Sequence, residues 1–443
     1  MESMYKELGI NTKKSCMISF VGGGGKTSHM FTLAKELKNF GRVLVTTTTK
    51  IFLPSKDEYD NLIVLDNESN EIFNESIDGI TLLAKEINSE NKVVGVDKTI
   101  LDDIYIKGLY KFILVEADGA KCKPLKAPKE GEPIIPSKTN INIGIIGFDA
   151  LDKKVEDVCF RDDIFTSITG KSGKELVDDD SILSLINNKF GLFKNTPNKC
   201  KRFFIVSKCD TNLSENRAIV LLKKVMKTED VDRVFISSIF EGKFKRICID
   251  VCGIVMASGL SRRMGSNKLI MKVNDEPMVE TVIKEATLSH LKKVIVVYNK
   301  DEVLNIIKNY HVDCIYNPSP ETGQSISVKL GLNESDKEDY IGFMFFVSDQ
   351  PFITSTLINK ILSEFVEKVD NIVIPIYNGK NGTPVVFPSY LREEFKSLDG
   401  DNGGREIIRN SQKVTKLKIE NARLGMDVDT PEVYDSLRRL NNE

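Results

Sequence analysis

Cys16-Met-Ile-Ser-Phe-Val-Gly-Gly-Gly-Gly-Lys-Thr27 runs from an apolar stretch straight into four glycines, a lysine and a threonine. Val251-Cys-Gly-Ile-Val-Met-Ala-Ser-Gly-Leu-Ser-Arg-Arg-Met-Gly-Ser-Asn-Lys268 repeats the plan with different chemistry. Each stretch reads as a buried strand, a glycine-rich loop and the opening of a helix. Behind the first, residues 28–39 place Met30, Leu33, Ala34 and Leu37 on one helical face. Residues 42–47, 112–116, 141–146 and 203–206 are further strand candidates. They are nearly continuously apolar, as strands covered on both faces of a parallel sheet must be. Behind the second, residues 278–289 read as a helix, and 293–298, 341–347 and 372–376 as strands. The alternation predicts an α/β protein whose pattern restarts near residue 250. Two domains are expected, over residues 1–246 and 247–443, with no Pro/Gly/Ser linker between them.

The length of 443 residues suits two or three domains. Lys and Arg number 62 against 64 Asp and Glu, a net charge of −2, so no nucleic-acid partner is expected. No apolar run reaches the roughly 18 residues that would cross a bilayer, so no membrane partner is expected either. Residues 1–14 are polar and mixed in charge, unlike a signal peptide, and the expected location is cytoplasmic. Eight cysteines are too sparse for a disulfide framework, and Cys248 and Cys252 have no second ligand pair behind them. The only histidines are His29, His290 and His311, which argues against His-rich metal sites and Ser-His-Asp chemistry.

The loop of Gly22, Gly23, Gly24 and Gly25 with Lys26 and Thr27 has the context of a phosphate-binding P-loop. Glycines let backbone N–H groups wrap a phosphate, Lys26 adds charge, Thr27 offers a hydroxyl to Mg²⁺, and the helix start favours anions. Phe20 stands where the full pattern has its first glycine. Glu116 and Asp118, at the end of a strand, suit metal or water orientation beside such a loop. Thr46 to Thr49 are placed to meet phosphate or simply to favour a strand, and Lys121, Lys123 and Lys126 to neutralise an anion or to be solvated. Ser207-Lys-Cys-Asp210 is either a weak guanine-reading motif with Ser in place of Asn, or a plain turn.

In the second half, Gly259 and Gly265 let backbone approach a triphosphate, and Ser261 can bond a phosphate oxygen. Arg263 and Lys268 supply the positive charge that transfer at an α-phosphate requires. Asp349, directly after the strand 341–347, is the natural Mg²⁺ ligand. Of Asp427 and Asp429, one completes the metal site, with Asp429 preferred, and the other is free to cap the helix opened by Pro431. Asn317, Gly323 and Ser325 belong to a polar, flexible turn suited to a base or sugar, and Arg405 is placed to bind substrate phosphate or to be solvated.

Val21-Gly-Gly-Gly-Gly-Lys-Thr27, Val45-Thr-Thr-Thr-Thr-Lys50 and Glu116-Ala-Asp-Gly-Ala-Lys121 with Pro124-Leu-Lys-Ala-Pro128 resemble the YqeC family. That resemblance implies an accessory role in maturing selenium-dependent molybdenum hydroxylases, with ATP or GTP as candidate ligands and a hydroxylase apoenzyme as candidate partner. The motifs over residues 251–437 resemble molybdenum cofactor cytidylyltransferases of the MobA-like nucleotidyltransferases. This second resemblance implies a Rossmann-like, GT-A-like fold in which Mg²⁺-CTP and molybdopterin-bound molybdenum give the cytosine dinucleotide and pyrophosphate. It places Ala257, Ser258 and Gly259 at the nucleotide, where cytidylyl relatives carry Ala-Ala-Gly and guanylyl ones Gly-Gly. Guanylyl or sugar-nucleotide transfer, and non-catalytic carriage of the cofactor, are the alternatives.

Overall fold

The computed structural model describes residues 3–65, 78–259, 267–398, 400 and 404–440. The chain divides into two compact units, Met1–Ile247 and Cys248–Glu443.

The first unit is built on nine strands: β1 Cys16–Gly22, β2 Val43–Thr47, β3 Asn61–Val64, β4 Ile80–Ala84, β5 Phe112–Glu116, β6 Ile141–Gly147, β7 Lys201–Ser207, β8 Arg233–Ser238 and β9 Lys243–Ile247. Their order is β9-β8-β7-β6-β1-β5-β2-β4-β3. All neighbours pair in parallel except β8 and β9. Strands β1, β2, β5 and β6 are buried almost throughout, which is why their sequences are apolar without alternation. Helix α1, Lys26–Leu37, follows β1 and buries Met30, Phe31, Leu33, Ala34 and Leu37. The chain leaves β1 toward β5 and β2 on one side, then crosses to β6 on the other. The crevice at the carboxyl ends of β1, β5 and β6 is therefore a topological switch point, where open α/β sheets bind ligands.

The second unit has its own sheet of β10 Ile249–Ala257, β11 Leu291–Tyr298, β12 Asp313–Tyr316, β13 Gly342–Val347, β14 Ile372–Tyr377, β15 Lys380–Asn381, β16 Val385–Pro388 and β17 Val414–Ile419. The order is β12-β11-β10-β13-β16-β14-β15, with β17 paired to β14. The first four strands are parallel, whereas β16 runs antiparallel to both β13 and β14. Side chains alternate across β10: Val251 and Val255 enter one core layer and Cys252 and Ile254 the other. Helices α2 Met278–Leu288 and α4 Ser355–Glu367 cover the first layer, and α3 Gln324–Ser335 the second. Helix α5, Pro431–Leu440, ends the described chain. The switch point here lies between β10 and β13.

Candidate functional sites

At that second switch point, the loop after β10 brings Lys268 to meet Asp349, two residues beyond β13. Lys268 Nζ is 2.5 Å from Asp349 Oδ2 and 2.7 Å from Asp429 Oδ1. Burial alone would lower the Lys268 ammonium, but Asp349 and Asp429 outweigh it and hold its pKa above the ordinary lysine value. Asp349 Oδ1 is buried and accepts no hydrogen bond among the described residues. Gln350 donates to Asp427 Oδ1 at 2.8 Å. Desolvation, and then the charge of Asp349, raises the Asp427 carboxyl above its usual range. Val428, fully buried between the two acids, donates its N–H to Asp349 O. Neither acid caps α5; Thr430 does, its hydroxyl accepting from Val433 N at 3.5 Å.

Ser348 donates its hydroxyl to Met256 O at 2.5 Å. It latches the end of β13 to that of β10, and so sets the spacing of Asp349 from the Ala257–Gly259 turn. No sequence signal marks that role. Ser258, Asn317 and Ser327 form a buried cluster. Asn317 Nδ2 donates to Ser258 Oγ and Ser327 Oγ, and Asn317 Oδ1 accepts from Ser319 N at 2.9 Å. Both amide protons of Asn317 are thus used within the protein, and they hold the turn to Ser258 and Ser327. The turn expected to be flexible is helical instead from Gln324 onward, with Gly323 as its N-cap and Ser325 buried in its first turn. Ala257 closes β10, and at Gly259 an added Cβ would meet no described atom within 4 Å. Arg405 opens a short helix and is exposed. Ser261, Arg263 and Gly265 lie outside the described residues.

Asp349 and Asp429 offer carboxylate oxygens of the kind that suit Mg²⁺, which commonly takes one or two carboxylates and completes its shell with phosphates and water. The orphaned Asp349 Oδ1 fits such a cation. Among the described residues no group of three His, Cys, Asp or Glu is preassembled as a metal site.

In the first unit, Lys26, Thr27, Glu116 and Asp118 do converge. Thr27 Oγ1 donates to Glu116 Oε2 at 2.6 Å, and Lys26 Nζ lies 3.5 Å from Glu116 and 3.2 Å from Asp118. Lys26 is 4% exposed, and its two carboxylates outweigh burial and raise its pKa. Burial raises the Glu116 carboxyl. The network continues inward: fully buried Lys126 pairs with Asp118 and Glu132, and Arg161 grips both oxygens of Glu132. Those two cations overcome desolvation and hold Glu132 at about 2. Lys126 is therefore structural rather than a solvated or ligand-facing lysine.

The glycine loop is held by the protein itself. Gly22 N donates to both Asp118 oxygens, Gly23 N to Ile145 O and Gly24 N to Lys123 O. His29 bonds Gly25 O and Ser237 Oγ, while Ser207 donates to Gly24 O. His29 is thus an interior residue, and burial lowers it to about 4. Ser207 of the suspected base-reading motif fastens the loop instead. The hydroxyls of Thr46, Thr47 and Thr48 donate to the carbonyls of Leu83, Glu116 and Ile134. Lys121 lies over the Phe160 ring, and Lys123 donates to Asp157 O.

Residues 18–163 match the family model described as YqeC protein, and residues 253–415 that of the MobA-like NTP transferase domain. The chain is 30% identical over 236 residues to the uncharacterized protein YqeC of Escherichia coli strain K12, covering 52% of this chain and 90% of that one. It is 29% identical over 162 residues to a probable molybdenum cofactor guanylyltransferase of Natranaerobius thermophilus, covering 34% of this chain and 77% of that one. It is 27% identical over 185 residues to the molybdenum cofactor cytidylyltransferase of Escherichia coli strain K12, covering 41% and 92% respectively. The chain belongs to the YqeC family through its first unit and continues into a MobA-like NTP transferase domain, which makes it a nucleotidyltransferase.

Proposed function

We propose that the second unit transfers CMP from CTP to molybdopterin-bound molybdenum and releases pyrophosphate. The observation that carries this reading is the convergence of Lys268, Asp349 and Asp429 at the switch point between β10 and β13. The terminal phosphate of molybdopterin is already ionised, so an oxygen of it attacks the α-phosphorus without a general base. The bond from the α-phosphorus to its bridging oxygen breaks, and pyrophosphate departs with that electron pair. Lys268 offers charge to the triphosphate, and Arg263 is assigned the same task. Asp349 and Asp429 would hold Mg²⁺, which when bound supplies neutralising charge to the phosphates. Gly259 leaves room for the nucleotide to approach the backbone.

A guanylyl reading has its own support, because one relative is a probable guanylyltransferase and Ser258 matches neither base pattern. Pyrophosphate release with each nucleoside triphosphate and molybdenum cofactor decides the matter. CTP is expected to react fastest. Equal or faster turnover of GTP overturns the base assignment. No release with any triphosphate overturns transfer and leaves a cofactor carrier.

For the first unit we propose an accessory role in maturing molybdenum hydroxylases, with ATP or GTP bound at Gly22–Thr27. Lys26 at the start of α1 supports an anionic ligand there, and the Thr27–Glu116 bond brings together a hydroxyl and a carboxylate that would hold its Mg²⁺. Such a ligand must compete with Asp118 for the Gly22 amide. Titration of the full chain with a fluorescent ATP or GTP analogue tests this, and absence of binding that Lys26→Ala would weaken overturns it.

A further inference from the structure

Two carboxylates placed to hold a divalent cation are both taken by one ammonium. Lys268 Nζ contacts Asp349 Oδ2 and Asp429 Oδ1 at the same time. The side chains of Lys268 and Asp349 are each only 15% exposed, so water screens their contact poorly, whereas Asp429 is 52% exposed. Val428 N fastens to Asp349 O, which ties the Asp429 segment to the end of β13 independently of the lysine. The two segments are therefore held close whether or not Lys268 lies between them, and the mostly buried Asp349 carboxylate needs a positive charge there. A divalent cation arriving alone would have to expel Lys268 and leave its charge nearby, which costs Coulomb energy. A triphosphate changes the balance, because its oxygens give the ammonium other strong acceptors.

We propose that Lys268 is the resting counterion of the Asp349–Asp429 pair and keeps free divalent cation out until a nucleoside triphosphate draws the lysine away. The role rests on the transferase reading for the identity of the triphosphate. No covalent bond changes in this step; one set of ion pairs replaces another. It makes binding ordered: cation alone binds weakly, and cation with nucleotide binds tightly. A bare metal ion then cannot lodge in the site and block it between turnovers.

The test is Mn²⁺ titration of the full chain, read by electron paramagnetic resonance, with and without an α,β-methylene analogue of CTP. Lys268→Met is expected to bind Mn²⁺ without nucleotide about ten-fold more tightly than the wild type, the effect of removing one nearby like charge. Lys268→Arg keeps the charge and is expected to stay near the wild type. Adding Asp349→Asn to Lys268→Met is expected to abolish the gain. Equal Mn²⁺ affinity of wild type and Lys268→Met overturns the role, and so does a gain that survives Asp349→Asn. Lys268→Gln serves in the same way should the methionine variant not fold. Pyrophosphate release by the wild type is measured separately. Its absence would remove the transferase reading and leave the Mn²⁺ result standing, whereas unchanged Mn²⁺ affinity would remove only the gating role.

Discussion

Asp349 presents two oxygens with different surroundings: Oδ2 receives Lys268, while buried Oδ1 accepts no hydrogen bond among the described residues. Asp349→Asn is expected to cut pyrophosphate release by about 10²-fold or more, as loss of one key electrostatic group does. Its thermal midpoint should stay close to the wild type, because the amide keeps the shape. A folded variant with normal turnover would remove Asp349 from the chemistry. Asn317 makes the opposite case, since its side chain serves only its neighbours. Asn317→Ala leaves Ser258, Ser327 and the Ser319 amide short of a buried partner, at a cost of about 1–3 kcal/mol. Denaturant unfolding should show that loss, and the nucleotide KM should rise as the turn loosens.

At the scale of the element, the two glycine loops differ in what their glycines are for. Gly24 has φ +77°, and an added Cβ would stand 2.2 Å from Gly147 N, so packing against β6 demands glycine. Gly24→Ala should destabilise the first unit by at least about 1–3 kcal/mol, read by hydrogen exchange across residues 3–65 and 78–247. Gly259→Ala has no such obstacle and should fold normally. It should raise the nucleotide KM, because the methyl would occupy the space assigned to phosphate. An unchanged KM would empty that assignment. Helix α1 carries a pH signature as well. His29 is lowered from 6.5 to about 4. Between those values the unfolded chain binds the extra proton, so stability falls as pH drops from about 6.5 to about 4, by up to about 3 kcal/mol. His29→Gln should flatten that window. It should leave the separate loss as pH falls from 4.5 toward about 2, where Glu132 leaves its cations.

For the whole molecule, each unit has its own sheet and its own buried layers. Lys26→Ala therefore tests how separable they are. Removing the buried ammonium leaves Glu116 without its cation and Asp118 with Lys126, and breaking a buried pair in this way costs about 3–5 kcal/mol. Hydrogen exchange should rise across the first unit, while pyrophosphate release, whose lysine is Lys268, stays near the wild-type rate. Loss of transfer in that variant, with the second unit still protected from exchange, would show that the two halves share one site.

Much of this was legible in the sequence. Apolar runs ending in glycine announce parallel strands that open helices, because a strand buried on both faces has no polar side to show. Lys26 and Thr27 open the helix behind β1, Glu116 ends β5 and Asp349 follows β13, whereas Lys268 starts a short helical turn and Asp429 lies in the loop before α5. Tertiary structure alone decided what those residues touch. The sequence does not encode that β6 lies beside β1, so it could not show that Ile145, Gly147 and Asp118 already fill the surroundings of the first glycine loop. Lys126 and Glu132, six residues apart, and Arg161, 29 residues beyond Glu132, look like ordinary surface charges until the chain folds them into one buried network. The latch from Ser348 to Met256 depends on β13 pairing with β10 across about ninety residues of chain. Periodicity reports how each residue faces its own element, whereas a site is made by contacts between elements, and strand order alone sets those.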